Sequence, residues 1–282
     1  METLIHVTEH TLEHSISIVP FLFITYLIME YIEHKAGNRA GYLVEKAGRL
    51  GPVIGAVAGA VPQCGFSTAA ANLYAGGVLS LGTLIAIFLS TSDEMLPILI
   101  SSQTDISEIL KLLSIKVIVG MAAGLLIDLI FRKKEEDHEH IHDLCENENC
   151  HCEKGVLHSA IVHTVHITLY ILLISFALNL VIELIGEEAL AELFLNRPVA
   201  GQLISALVGL IPNCASSVVI TQLYLENALS LGAMMAGLLV NAGVGILVLF
   251  RVNHDKKENL KIVGLLYVIG VTAGIILNFL PL

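Results

Sequence analysis

Charge is what this chain has least of. Asp, Glu, Lys and Arg make up 15% of its 282 residues, against roughly 25% in an ordinary soluble domain. Hydrophobic residues make up 55%, and the mean hydropathy is +0.78. A soluble globular fold is thereby excluded, and the chain reads as an integral membrane protein. Between residues 50 and 92 there is no charged side chain of either sign, a run long enough to cross the hydrocarbon and return at roughly 20 residues per helical pass. The alternating segments of about ten residues that mark a transmembrane β-barrel are missing, so the spans are helices. No Gly-rich phosphate loop ending in Lys and Ser or Thr is present, which argues against an ATP-driven motor within the chain. Residues 1–14 hold no basic cluster ahead of the first apolar stretch; a cleaved secretory signal is not expected, and the first helix should be retained.

What is present is a duplication. Val61-Pro62-Gln63-Cys64-Gly65-Phe66-Ser67 returns as Ile211-Pro212-Asn213-Cys214-Ala215-Ser216-Ser217 at an offset of 150. The same offset carries Leu73-Tyr74 onto Leu223-Tyr224, Leu79-Ser80-Leu81-Gly82 onto Leu229-Ser230-Leu231-Gly232, and Ala123-Gly124 onto Ala273-Gly274. The organisation is a first membrane repeat over 1–134, a linker over 135–155 and a second repeat over 156–282.

The net charge is −11 with His neutral, but the placement of Lys and Arg is what orients a membrane chain. Of 15 such residues, 12 fall in three loops: Lys35, Arg39, Lys46 and Arg49; Arg132, Lys133, Lys134 and Lys154; Arg251, Lys256, Lys257 and Lys261. Lys111, Lys116 and Arg197 remain. The positive-inside rule makes all three loops cytoplasmic, with the linker inside and both termini outside. Yet the counterpart of basic loop 35–49 is 185–199, which carries Glu187, Glu188 and Glu192, and acidic 103–110 maps onto mostly basic 253–260. The two repeats therefore insert upside down relative to each other, an architecture of transporters with a site near the midplane.

Apolar stretches lie near 15–33, 51–75, 78–103 and 112–131, then 162–184, 200–224, 228–250 and 262–281. Inversion needs an odd number of crossings per repeat, so one of the four stretches in each repeat must be broken. Pro62 removes a backbone donor and disfavours helix before it, which places a break near residues 61–65; a second falls at Ser90-Thr91-Ser92-Asp93, matched by Val240-Asn241-Ala242-Gly243. Irregular backbone at membrane depth survives only where protein buries it or water reaches it. The expected fold is an all-α membrane protein: an inverted-topology repeat of two five-helix units with broken or re-entrant helices at the midplane. That gives ten short passes, or eight if the broken pieces re-enter.

Unwound backbone around Gln63 and Cys64, and around Asn213 and Cys214, would offer carbonyls, amides, an amide side chain and a thiol, with Ser67 and Ser217 one turn on. A buried Cys is commonly a small apolar filler, but here it recurs beside a helix breaker in both repeats. Asp93 and Glu94 are adjacent acids between apolar stretches; an acid within the membrane costs roughly 2.5 to 3.5 kcal/mol and marks function by default, although one facing interfacial water would not. Their counterparts are Gly243 and Val244, so Asn241 would complete the site from the other repeat. Hard oxygens suit Mn²⁺ or Mg²⁺, whereas thiolates suit Zn²⁺, Cu⁺ or arsenite-like species; both donor types are available. His163 and His166 share a helix face at ligand spacing, as do His10 and His14. Asn72 with Gln222 and Tyr74 with Tyr224 also recur, helix–helix hydrogen bonding being their simplest explanation.

The linker places His138, His140, His142, Cys145, Cys150, His151 and Cys152 among eight acids. A short His- and Cys-rich tract is a compositional metal-binding signal, although no spacing matches a closed zinc finger. It reads as a cytoplasmic metal collector or sensor, or more simply as a solvated acidic tether.

VPQCGFS with ANLYAGGVLSLGTLIA, IPNCASS with TQLYLENALSLGAMMAG, and the His-rich linker between them resemble the ten-transmembrane heavy-metal exporters. That family is related to the arsenic efflux permeases and is also labelled as manganese transporters. The resemblance implies export of a toxic metal or metalloid. Arsenic efflux permeases use a Pro-x-Cys-x-Cys type of motif, whereas this chain has one Cys per repeat, which speaks against a three-thiolate arsenite site. The reading is thus an inner-membrane secondary transporter, not an enzyme. Its expected partners are the transported ion, a coupling proton or cation and the bilayer; no cofactor or nucleic acid is expected, and a homo-oligomer is left open. The rivals are a Mn²⁺ exporter with an oxygen-ligand site, a membrane thiol oxidoreductase using Cys64 and Cys214, and a metal sensor acting through the linker.

Overall fold

The computed structural model describes residues 50–61, 64–92, 95–131, 199–225 and 227–279, with single helical positions between 19 and 27 and between 157 and 176. The continuous stretches form ten helices: α1 (Gly51–Gly59), α2 (Cys64–Ala75), α3 (Leu81–Ser90), α4 (Met95–Ser101), α5 (Ile106–Ile130), α6 (Ala200–Gly209), α7 (Cys214–Leu225), α8 (Leu231–Val240), α9 (Gly245–Val252) and α10 (Lys256–Phe279). Helices α6 to α10 begin 149 or 150 residues after α1 to α5. The duplication is therefore structural, helix for helix. No strand occurs among the described residues.

The repeated motifs explain the repeated boundaries. Helix α2 ends in a Schellman turn: Gly77, at φ 71°, donates to the Tyr74 carbonyl at 2.9 Å and Val78 donates to that of Leu73 at 2.8 Å. Asn227, at φ 60°, and Ala228 make the same bonds to Tyr224 and Leu223. Only Gly and a few polar residues adopt that left-handed backbone cheaply. Ser80 and Ser230 then cap α3 and α8, their hydroxyls accepting from Thr83 N at 3.1 Å and Ala233 N at 3.2 Å. The Gly two residues on lets a neighbouring backbone approach. A Cβ on Gly124 would come 2.5 Å from the Gly82 carbonyl, and one on Gly274 would collide with the Gly232 carbonyl. Helices α5 and α10 thus lie backbone to backbone against α3 and α8, as small residues permit in a membrane.

Contacts fix directions. Gly51 faces Thr83, and Gly59 faces Ser90 and Ile87, so α1 and α3 run parallel and α2 must carry the chain back between them. Gly82 meets Gly124 and Gly120 meets Ala86, so α5 runs antiparallel to α3. The second repeat follows the same plan, with Gly209 against Gly237, Gly232 against Gly274 and Gly270 against Val240. Across the repeats, Gly245 packs on Ser67 and Tyr74 bonds to Glu258, so α2 and α9 run side by side in one direction. Phe131, just past the end of α5, lies 3.9 Å beneath the ammonium of Lys261 in the second turn of α10. The end of one long helix therefore adjoins the start of its counterpart.

Among the described residues, four helical segments are long and apolar enough to cross a membrane: Leu81–Ile100, Ile106–Ile130, Leu231–Val252 and Lys256–Phe279. The most apolar window is 89% buried in Leu231–Val252 but only 28% in Ile106–Ile130 and 33% in Lys256–Phe279. Helices α8 and α9 are central, whereas α5 and α10 expose Ile106, Leu129, Val268 and Phe279. Such large apolar side chains are at home in lipid and out of place in water. Both outer helices begin about a turn and a half before the apolar stretches at 112 and 262, because Glu108 and Glu258 in their first turns favour the positive helix end and receive tyrosines from the other repeat.

Candidate functional site

Both expected interruptions are present in each repeat. Cys64 is the first residue of α2 and Cys214 the first of α7, so each opens the helix that follows the break after α1 or α6. Helix α3 ends at Ser90 and α4 resumes at Met95; α8 ends at Val240 and α9 resumes at Gly245. Breaks of adjacent chain segments then meet. In the first repeat the Ser92 hydroxyl donates to the Ala60 carbonyl at 2.7 Å, tying the end of α1 to the break after α3.

The second repeat makes the same joint with different chemistry. Asn241 Nδ2 donates to Ser216 Oγ at 3.0 Å, while Ser216 Oγ donates to the Asn213 carbonyl at 2.7 Å. Asn241 Oδ1 in turn accepts from Gly243 N at 2.7 Å, with Gly243 at φ 54°. Asn213, Ser216 and Asn241 are all buried, so their polar groups form a connected network of the kind a buried site requires. The residues Asn213 and Asn241, expected from sequence, are thereby brought together through Ser216. Ser67 and Ser217 are buried near the starts of α2 and α7, Ser67 against Gly245.

Lys116 adds a buried amine to this region. It is 1% exposed, and its Nζ donates to the Leu238 carbonyl across the repeats at 2.6 Å. Further out, Tyr74 donates to Glu258 Oε1 at 2.8 Å and Tyr224 to Glu108 Oε1 at 2.7 Å. These bonds bear out the helix–helix role expected of the paired tyrosines. Asn72 is buried and donates to the Thr68 carbonyl, whereas Gln222 is exposed.

The residues that sequence reasoning passed over are Ser216, Ser92, Lys116, Glu108 and Glu258. Ser216 and Ser92 escaped because their counterparts, Phe66 and Ala242, are apolar, so the repeat did not mark them. Lys116 carried a legible signal: a lone Lys in the apolar stretch 112–131, with Leu266 as its counterpart. Gln63, Asp93, Glu94, His163, His166 and the whole linker, His138, His140, His142, Cys145, Cys150, His151 and Cys152 included, lie outside the described residues, as do the side chains of Cys64 and Cys214. Among the described residues, no three His, Cys, Asp or Glu side chains gather as a metal-binding group. The donors that can be described are oxygens and amides.

An all-helical, multi-pass membrane protein, built from two copies of one helical unit, is the class these features define. Residues 4–189 match the family described as "Putative, 10TM heavy-metal exporter", and the chain belongs to it. No curated protein and no solved structure matches.

Proposed function

We propose that the chain is a secondary transporter that exports a heavy-metal ion or metalloid, alternating access to a site between two inverted repeats. The observation that carries this reading is that two helix breaks meet within each repeat, joined by Ser92 to Ala60 in one and Asn241 to Ser216 in the other, while Gly245 at the start of α9 packs across the repeats on Ser67 near the start of α2. Discontinuous helices facing one another from two repeats are how secondary transporters build an ion site. Inversion is supported by Phe131 against Lys261, because that contact sets the end of α5 beside the start of α10. The basic residues agree: Arg132, Lys133 and Lys134 follow α5, and Lys256, Lys257 and Lys261 open α10, on one cytoplasmic side. Each repeat then comprises a first span, a re-entrant pair (α1–α2 or α6–α7), a broken span and a complete span. On this reading each repeat makes three full crossings beside its re-entrant pair, and the odd number of crossings inverts the second copy.

Cys64 and Cys214, each opening a half-helix, are the thiol candidates, with Gln63, Asn213, Ser67, Ser217 and Asn241 as oxygen donors and Asp93 or Glu94 as the coupling carboxylate. The linker His and Cys residues, with His163 and His166, would deliver metal from the cytoplasm. Growth of expressing and non-expressing cells on Mn, Zn, Co, Ni, Cu, Cd and arsenite, with cell metal content measured, names the substrate. Unchanged content for every element would sink the export reading.

A second reading, export of Mn²⁺ through oxygen ligands, is favoured by the Asn213, Ser216 and Asn241 network. Hard ions prefer such donors. The double variant Cys64→Ser/Cys214→Ser separates the two: a thiol site loses transport, an oxygen site retains it. Asp93→Asn and Glu94→Gln test the coupling, and wild-type rates and pH dependence in both would remove these acids from the mechanism.

A further inference from the structure

Lys116 has a place that packing does not explain. It is the eleventh residue of the 25 in α5, halfway along a helix whose length suits a membrane crossing. Its counterpart Leu266 is fully buried, so an apolar residue fits the equivalent position. An ammonium at that depth is costly, and such residues are retained for function. The Nζ partner is informative as well. Leu238 lies in the last turn of α8, where the closing backbone bond runs from Asn241 N to Gly237. Carbonyls at a helix end lack intrahelical donors and carry partial negative charge, which favours a cation. Lys116 thus reaches from the first repeat to the negative end of a half-helix in the second, three residues before Asn241.

The surrounding groups sharpen this. Helices α1, α3 and α8, which pack around this part of α5, contain no titratable side chain. The charged residues of α9 and α10, namely Arg251, Lys256, Lys257, Glu258 and Lys261, fall in the last turn of α9 and the first two turns of α10, where Lys261 meets Phe131 past the far end of α5. Asp93 and Glu94 interrupt the chain between α3 and α4 and lie outside the described residues.

We propose that Lys116 is a proton-carrying residue of the transport cycle. It is charged and held on the α8 carbonyl end while the interior is empty, and it gives up its proton when a divalent cation enters beside the breaks. Two cations sharing a low-dielectric interior repel strongly, and losing the proton removes one of them. The N–H bond breaks with its electron pair left on Nζ, and the proton passes to water; when the ion leaves, Nζ takes a proton from the opposite face. This rests on the exporter reading and adds to it the group that exchanges with the ion.

The test uses the full chain, purified and in vesicles, with Mn²⁺ and Zn²⁺ supplied singly. Calorimetry in buffers of different ionisation heat counts protons released on binding. Wild-type affinity should rise with pH by up to about tenfold per unit, the slope one displaced proton gives. Lys116→Met should release one proton fewer and bind at pH 6 at least tenfold more tightly than wild type. Lys116→Arg keeps the charge and the donor but cannot deprotonate, so it should fold, by its melting temperature, and fail to export. A purely structural tie predicts the reverse, rescue by Arg and damage by Met. Export by Lys116→Arg at the wild-type rate, or unchanged proton release in Lys116→Met, overturns the proposal. Should Lys116→Met fail to fold, the Arg variant alone decides. Absence of export by wild-type protein across the metal panel would instead overturn the exporter reading, and this proposal with it.

Discussion

The Tyr74 hydroxyl donates to Glu258 Oε1 at 2.8 Å, joining the end of α2 in the first repeat to the start of α10 in the second. An offset of 150 turns this pair into Tyr224 and Glu108, which are bonded at 2.7 Å. Each repeat therefore lends a tyrosine and receives one, as a two-fold relation between the halves requires. Glu258 also accepts from Asn253 Nδ2 at 3.0 Å, so the two joints are not equally braced. On the proposed inverted topology, the Tyr74 joint faces the cytoplasm and the Tyr224 joint the outside. Both joints are closed in this structure.

Tyr74→Phe should loosen the cytoplasmic joint and Tyr224→Phe the outer one. A hydrogen bond to a charged group contributes about 1.5–3 kcal/mol, so each variant should raise the population open on its own side roughly tenfold or more. Labelling of Cys64 and Cys214 by an impermeant maleimide, in inside-out and right-side-out vesicles, reads this directly. Equal labelling of the two variants from both faces would contradict the assignment.

Asn241→Ala removes the donor that ties the α8 break to the 211–216 segment and takes from the buried Gly243 N its side-chain acceptor. Loss of such a partner costs about 1–3 kcal/mol. Thermal unfolding should shift down accordingly, and metal export should fall more steeply than stability if the joint positions a site. Ser92→Ala, its functional equivalent in the first repeat, should act in the same direction.

Gly124→Val and Gly274→Val should be far more damaging than Gly264→Ala. The first two place side chains into opposing backbone carbonyls, whereas a Cβ on Gly264 meets nothing within 4 Å. For Gly264→Ala the expectation is no loss of melting temperature, Ala being the better helix former by up to about 1 kcal/mol. Expression level and detergent melting curves check the contrast.

Ser80→Ala and Ser230→Ala should differ, although the motif around them is the same. Losing an N-cap costs about 0.5–2 kcal/mol. Ser80 also donates to Asp128 Oδ2 at 2.7 Å, while Gly82 N donates to Oδ1 at 2.8 Å. The residue at the counterpart position, Asn278, carries no charge, so Ser80→Ala should lower the melting temperature further.

Much of this was legible in particular residues. Pro62 and Pro212 foretold the breaks because a missing donor and a steric clash act locally, whatever the surroundings. Leu79-Ser80-Leu81-Gly82 and its copy encode a cap and a close helix contact, and they did so at both sites. What repetition could not reveal is any residue that departs from it. Ser216 stands where the first repeat has Phe66, Ser92 where the second has Ala242, and Lys116 where the second has Leu266.

The sequence by itself determined that the chain lives in a membrane, that it is one helical unit used twice, and where two apolar stretches of each repeat break. Those properties follow from composition, from backbone chemistry and from an offset that can be read along the chain. Only the tertiary structure decided that α1 and α3 run parallel, that Asn213 and Asn241 share Ser216, that the tyrosines are exchanged between repeats, and that Lys116 ends on the Leu238 carbonyl. Each joins residues far apart in the chain, Lys116 and Leu238 being separated by 122 positions. Such partners are chosen by how the two copies pack, and helical periodicity carries no record of that choice.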